Sequence, residues 1–143
     1  MGYSFLEDIA TADIAFKAWG KDLSEVFQAA AEATMNVMIE DLDSIHPLEK
    51  KEIIIENEAL DMLLFDLLQE LIYYKDSNQL LLRIKEAQVE EIPGRYRLKA
   101  TALGEKLDSR KHEQRVDVKA VTLHRFALER KEDGWEALVI LDI

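Results

Sequence analysis

The stretch Arg95-Tyr96-Arg97-Leu98-Lys99-Ala100-Thr101-Ala102-Leu103 decides the fold class, because its character alternates residue by residue. Tyr96, Leu98, Ala100 and Ala102 fall on one face of an extended strand, the period of two that marks a half-buried sheet. Just before it, Pro93-Gly94 reads as the turn of a hairpin whose other arm is Leu80–Val89. Further along, Gln114–Ala120 alternates again, and Asp133-Gly134 joins Phe126–Arg130 to Trp135–Ile143 as a second hairpin. Leu107–Glu113 has no such period and reads as a mobile loop.

Upstream the period changes. Leu23, Val26, Phe27, Ala30, Val37 and Met38 recur at three- and four-residue spacing, behind Asp22 and Glu25 in the arrangement of a capping box. Ala29, Ala30, Ala31 and Ala33 favour helix and permit close approach to a sheet. Leu60, Leu63, Leu64, Leu67, Leu68 and Leu71 form a second stripe, with Asn57 as its cap, an end near Lys75 and a turn at Asp76-Ser77-Asn78. Short apolar runs at Ile14–Gly20 and Lys50–Glu56 precede the two helices and read as strands. The order is strand–helix–strand–helix followed by a run of strands. That order predicts an α+β fold, two helices packed on a mostly antiparallel sheet, in one domain over residues 1–143.

Composition bounds the chemistry. The chain has 143 residues, 48% hydrophobic, with 29 acidic against 18 basic side chains and a formal net charge of −11. Affinity for nucleic acid rests on Lys and Arg neutralising phosphates, so this balance opposes an unaided grip on RNA and disfavours anionic membranes. Basic proteins and cations are the partners its mean field attracts. The absence of cysteine excludes disulfides, thiolate zinc sites and cysteine nucleophiles. No basic segment leads into an apolar one at the start, and the longest apolar run, Met62-Leu63-Leu64-Phe65, stops at Asp66. A cytoplasmic chain with no membrane association is expected. No glycine-rich phosphate loop and no serine nucleophile elbow occurs.

Two carboxylates stand out. Asp13 lies within Ile9-Ala10-Thr11-Ala12-Asp13-Ile14-Ala15, and Asp142 lies between Leu141 and Ile143. A carboxylate in apolar company needs a partner, and Asp142 adjoins the α-carboxylate of Ile143. A cation between them would relieve their repulsion, and oxygen donors suit a hard ion such as calcium or magnesium. The plainer alternative is that Asp13 caps a turn or pairs with Lys119 while the chain end stays in water. On the residues alone that alternative is favoured. Lys119-Ala120-Val121-Thr122-Leu123-His124 could present a base or donor beside the acidic groups, although a lone histidine at a strand end is usually structural.

Several blocks resemble the archease family: Phe5-Leu6-Glu7, Thr11-Ala12-Asp13-Ile14 and Gly20 at the start, Lys119 to His124 late in the chain, and Gly134-Trp135 with Leu141-Asp142-Ile143 at the end. Each is short; together and in order they cover essentially the whole chain. The resemblance implies an accessory protein, not an enzyme, that assists an RtcB-type RNA ligase joining tRNA exon halves. It implies faster guanylylation of that ligase, multiple turnover and wider nucleotide use, with tRNA met only through the ligase. It also implies a cation held by Asp13, Asp142 and the terminal carboxylate of Ile143: calcium, with magnesium or manganese as alternatives. For these three positions the resemblance reverses the preference for the plainer alternative. Lys119 and His124 would support the same surface as partner contacts. Two positions depart from the family pattern: Ala10 stands where many relatives have histidine, and Leu123 stands where an aromatic is common. A small metal-dependent phosphoester hydrolase, or a general folding helper, is the competing expectation.

Overall fold

The structure, a computed structural model, describes residues 1–6 and 13–143. Its strands are β1 (Gly2–Leu6), β2 (Asp13–Gly20), β3 (Glu49–Asn57), β4 (Leu80–Ile92), β5 (Arg95–Lys106), β6 (Ala120–Val121), β7 (Ala127–Lys131) and β8 (Gly134–Asp142). Helix α1 spans Leu23–Met38 and α2 spans Leu60–Asn78. The α+β expectation holds, and every strand pairing is antiparallel. The strands divide between two sheets rather than forming one. One sheet runs β1-β2-β8-β6, with β7 also on β8; the other runs β3-β5-β4. Both helices lie between them, since α1 packs on β2, β8 and β4 while α2 packs on β3, β4, β5 and β6.

Helix α1 begins as its sequence dictates. The Asp22 carboxylate accepts from the Glu25 N–H at 2.9 Å, and Glu25 reaches back to the N–H of Lys21 at 2.9 Å. A cap of this kind contributes about 1 kcal/mol. Ser24, Gln28 and Glu32, four residues apart, then face strand β4. Ser24 Oγ donates to the Ala87 carbonyl at 2.5 Å, Gln28 Nε2 donates to the Lys85 carbonyl at 3.3 Å, and Glu32 holds Arg83 through two hydrogen bonds. One helix face thereby satisfies a sheet edge that would otherwise present bare carbonyls.

Helix α2 buries Leu63, Leu64, Leu67, Leu68, Leu71 and Ile72, as the stripe predicts. Its ends differ from the reading. Asn57 is the last residue of β3, and its side chain accepts from the Ala59 N–H at 3.0 Å while donating to Asp66 at 3.0 Å. Asp76-Ser77-Asn78 remain helical, and the turn comes at Gln79, whose φ of 55° ends the helix. The β4–β5 hairpin turns at Pro93-Gly94 and buries Leu98, Ala100 and Ala102 on one face.

Between Lys106 and Ala120 the chain forms no long strand. Glu113 accepts from Glu40, and Arg115 and Val116 donate to the carbonyls of Met38 and Val37, so this connection runs along the end of α1. Its alternation reflects backbone bonds to a helix end, not a sheet. The 107–113 segment is also tied down: Leu107 N–H donates to Gln79 at 2.7 Å and His112 is buried. Among the described residues no helix is long and apolar enough to cross a membrane.

Candidate functional site

Strand β8 is the axis of the first sheet. On one side it pairs with β2 along its length; on the other, β7 pairs with residues 134–138 and β6 with residues 141–142. At its end Asp142 lies opposite Asp13 on β2 and opposite Ala120 on β6. Strand partners in direct register project to the same face, with Cβ atoms about 4.5–5.5 Å apart, and like charges so placed destabilise the pairing. Both aspartates are partly buried, and among the described residues neither forms an ion pair with a lysine, arginine or histidine. Pairing therefore brings together two carboxylates that stand 129 positions apart by number (142 − 13). The alternative pairing of Asp13 with Lys119 does not form.

Lys119 is exposed, and its backbone N–H donates to the Asp142 carbonyl at 2.8 Å. The Ile143 side chain packs against the core, so an apolar anchor holds the end of this strand in place. Thr122 continues the line of β6, donating its N–H to the Ile140 carbonyl at 3.0 Å. Its Oγ1 is buried and has no hydrogen-bond partner among the described residues. His124 lies beyond, exposed on the turn that Phe126 N–H closes onto the Leu123 carbonyl at 3.2 Å. Thr11, Ala12 and the Ala10 departure lie outside the described residues.

Would this end suit a cation? Among the described residues no group of three or more Asp, Glu or His side chains gathers anywhere. An ion here would thus draw on Asp13, Asp142 and oxygens of other kinds. Thr122, bonded to Ile140 two residues in from Asp142, offers a hydroxyl without a partner among the described residues, and hard cations accept carboxylate, hydroxyl, carbonyl and water oxygens together. The residues fit an oxygen-bound ion on that ground. A cleft of about 750 Å³, lined by Asp22, Ser24, Glu86, Glu90 and Trp135, lies at the other end of β8, roughly 23 Å away at the rise of a strand. That cleft and the facing carboxylates lie at opposite ends of β8.

A second polar cluster was not legible in the sequence. Glu105, at the end of β5, accepts from the His46 N–H at 2.6 Å, from Lys111 Nζ at 2.7 Å and from His112 Nε2 at 3.1 Å. His112 is 1% exposed, and its Nδ1 accepts from the Asp108 N–H at 3.0 Å. That bond fixes the neutral tautomer with its proton on Nε2, facing Glu105. Burial pushes the Glu105 carboxyl up, but the His46 N–H, Lys111 and His112 together outweigh it and bring it down to about 2, from an ordinary 4.5. The fold therefore favours the carboxylate. The stabilisation is complete above about pH 5 and drains away as pH falls through the range from 4.5 toward 2. Glu105→Gln is expected to lower stability at neutral pH and to flatten the loss of thermal stability between about pH 5 and pH 3. Melting curves across that range, for both forms, check it; parallel acid limbs would remove Glu105 from this role.

With this geometry in view, the comparisons with known proteins are consistent with one another. The family model for the archease protein family matches residues 3–143. Protein archease of Pyrococcus abyssi is 39% identical over 134 residues, covering 93% of this chain and 94% of that protein. Protein archease of Methanosarcina acetivorans is 38% identical over 144 residues, covering 99% and 95%. Among solved structures, Methanobacterium thermoautotrophicum protein 1598 superposes with a TM-score of 0.85 at 36% identity over 99% of both chains. The crystal structure of an archease, possible chaperone, from Thermotoga maritima shares the fold, with a TM-score of 0.59 at 24% identity over 94% and 93%.

Proposed function

This chain belongs to the archease family, and from that premise we propose that it is a cytoplasmic accessory protein that activates an RtcB-type RNA ligase by protein–protein contact. It does not itself join RNA, and it meets tRNA only through the ligase. The observation that carries this reading is the facing of Asp13 and Asp142 across β2 and β8 without an ion-pair partner among the described residues. A carboxylate pair kept in that position despite its repulsion calls for positive charge supplied from outside.

The proposed ion is calcium, with magnesium or manganese as alternatives, held by Asp13, Asp142 and the α-carboxylate of Ile143. An ion held by these groups would offset most of their repulsion at the strand end. Strand register fixes the spacing of the two aspartates, and the Ile143 side chain in the core fixes the chain end. Exposed Lys119, whose N–H bonds the Asp142 carbonyl, and exposed His124, on the turn after β6, form the contact surface for the ligase. The formal charge of −11 favours a basic partner and opposes direct binding of RNA.

The direct test adds the chain to an RtcB-type ligase and counts ligations per ligase molecule. Multiple rounds with the chain and a single round without it support activation; equal counts overturn it. A narrower test concerns Ile143. A short Gly-Ser tail after Ile143 converts the α-carboxylate into a neutral amide. It is expected to weaken calcium binding about tenfold or more, a change of about 1.4 kcal/mol. The same tail before Met1 should leave affinity unchanged. Calorimetric titration of the untagged chain and both tailed forms decides it, and equal affinities would withdraw Ile143 from the donor set.

A further inference from the structure

Strand β6 has only two residues, Ala120 and Val121, too few to hold their place by pairing alone. Yet it lies beside the end of β8, with Lys119 just before it, and Thr122 and the turn carrying His124 run from it back along residues 138–140. The side facing β8 is bonded: Lys119 N–H donates to the Asp142 carbonyl at 2.8 Å and Thr122 N–H to the Ile140 carbonyl at 3.0 Å. The Val121 N–H goes elsewhere, donating to Gln69 Oε1 on α2 at 2.8 Å. One helical turn earlier, Phe65 meets Phe126 edge to face, with ring centroids 5.5 Å apart and planes at 83°. Residues four apart share a helix face, so Phe65 and Gln69 grip the two ends of the segment 121–126. Inside that segment lie the Thr122 hydroxyl, unpartnered among the described residues, and exposed His124, and Arg125 takes a φ of 55°, a conformation that needs support from its surroundings.

We propose that Gln69 is a positioning residue for the carboxylate end of the first sheet. Through the Val121 amide it holds β6 against β8, with Ala120 opposite Asp142 and Thr122 bonded to Ile140, so that α2 completes a site whose two aspartates both lie on strands. This inference rests on the cation reading above. Groups that orient a metal site from behind typically change its affinity 10- to 100-fold when removed.

The test compares Gln69→Met, which keeps the side chain's size but removes the acceptor, with Gln69→Glu, which keeps an acceptor oxygen. Gln69→Met is expected to speed hydrogen exchange at the Val121 amide and raise the calcium dissociation constant about tenfold, with the melting temperature nearly unchanged. Gln69→Glu is expected to restore both the exchange rate and the affinity. Faster exchange with unchanged calcium affinity would make Gln69 a purely local support and overturn the proposal, as would unchanged exchange in Gln69→Met. The unsubstituted chain is titrated first with calcium, then with magnesium and manganese. If it binds none of them, the cation reading falls and this inference with it. If it binds and Gln69→Met binds equally, the inference alone falls.

Discussion

Asp13→Ala leaves the chain folded and abolishes ligase activation: that is the expected result, and the position of Asp13 explains both halves of it. Asp13 is the first residue of β2, and the buried part of that strand begins at Ala15 and Phe16. Its carboxylate has no hydrogen bond or ion pair among the described residues, so its removal breaks no satisfied contact. It also relieves a like-charge pairing with Asp142 that costs roughly 0.2–1 kcal/mol. The melting temperature should therefore hold or rise slightly in the absence of added cation. Function should respond in the opposite direction, because one of the two side-chain carboxylates that face each other here is gone. Ligations per ligase should drop to the level seen without the chain, and calcium titration should lose its signal. A variant that unfolds would make Asp13 structural, and one that activates fully would sink the site assignment.

Gly104→Ala is expected to do the reverse, strongly destabilising the fold without touching the site. Gly104 sits in β5 between Leu82 of β4 and Glu49 of β3, and its carbonyl accepts from the Leu48 N–H at 2.9 Å. A Cβ there would fall 1.6 Å from the Leu81 carbonyl oxygen and 2.7 Å from its carbon. These are backbone atoms, which cannot rotate away, so β4 and β5 would have to part. The cost should reach about 4 kcal/mol or more, the rare end of single substitutions, lowering the melting temperature by roughly 15 °C in a chain of this size. Gly94→Ala is the control: its Cβ meets nothing within 4 Å, and only its φ of 78° is unfavourable, at about 1–2 kcal/mol. Thermal melts of the two variants separate crowding from backbone conformation. A Gly104→Ala protein as stable as the parent would mean that the β4–β5 register is wrong.

The helices and hairpins were legible in the sequence because their signals are local. The leucine stripe of α2, the cap of α1 and the turns at Pro93-Gly94 and Asp133-Gly134 each follow from residues within a turn of one another. What failed to show was whatever depends on distant partners. Strand β1, Gly2–Leu6, carries no clear alternation and is a strand because β2 lies beside it. Residues 114–119 alternate as a strand would, but Arg115 and Val116 donate to the end of α1 and only Lys119 reaches β8. Division of the strands between two sheets likewise depends on helices that can be covered on both sides. The site shows the same contrast. Asp13 and Asp142 stood out as carboxylates in apolar company, but their opposition is a matter of register between distant strands. Glu105 and His112 gave no signal, because the histidine's neutral form and the carboxylate's partners arise only from the packed loop. Gln69 drew no reading from the sequence, because the amide it accepts from lies on β6, 52 positions away.

The pairing of residues 13–20 with residues 135–142 also governs the order in which the molecule can assemble. Hairpin β4–β5 closes across a two-residue turn, and α1 and α2 are local, so the second sheet and its helices can organise from a partial chain. The first sheet cannot, because its axis, β8, is the last strand in the sequence and closing it spans nearly the entire chain. Contacts of such separation form slowly, since the entropy of closing a long loop is spent before they repay it. During synthesis β2 emerges early with one edge waiting for β8, and Asp13 has no counterpart until that strand arrives. The two facing aspartates therefore come together only after β8 has closed onto β2.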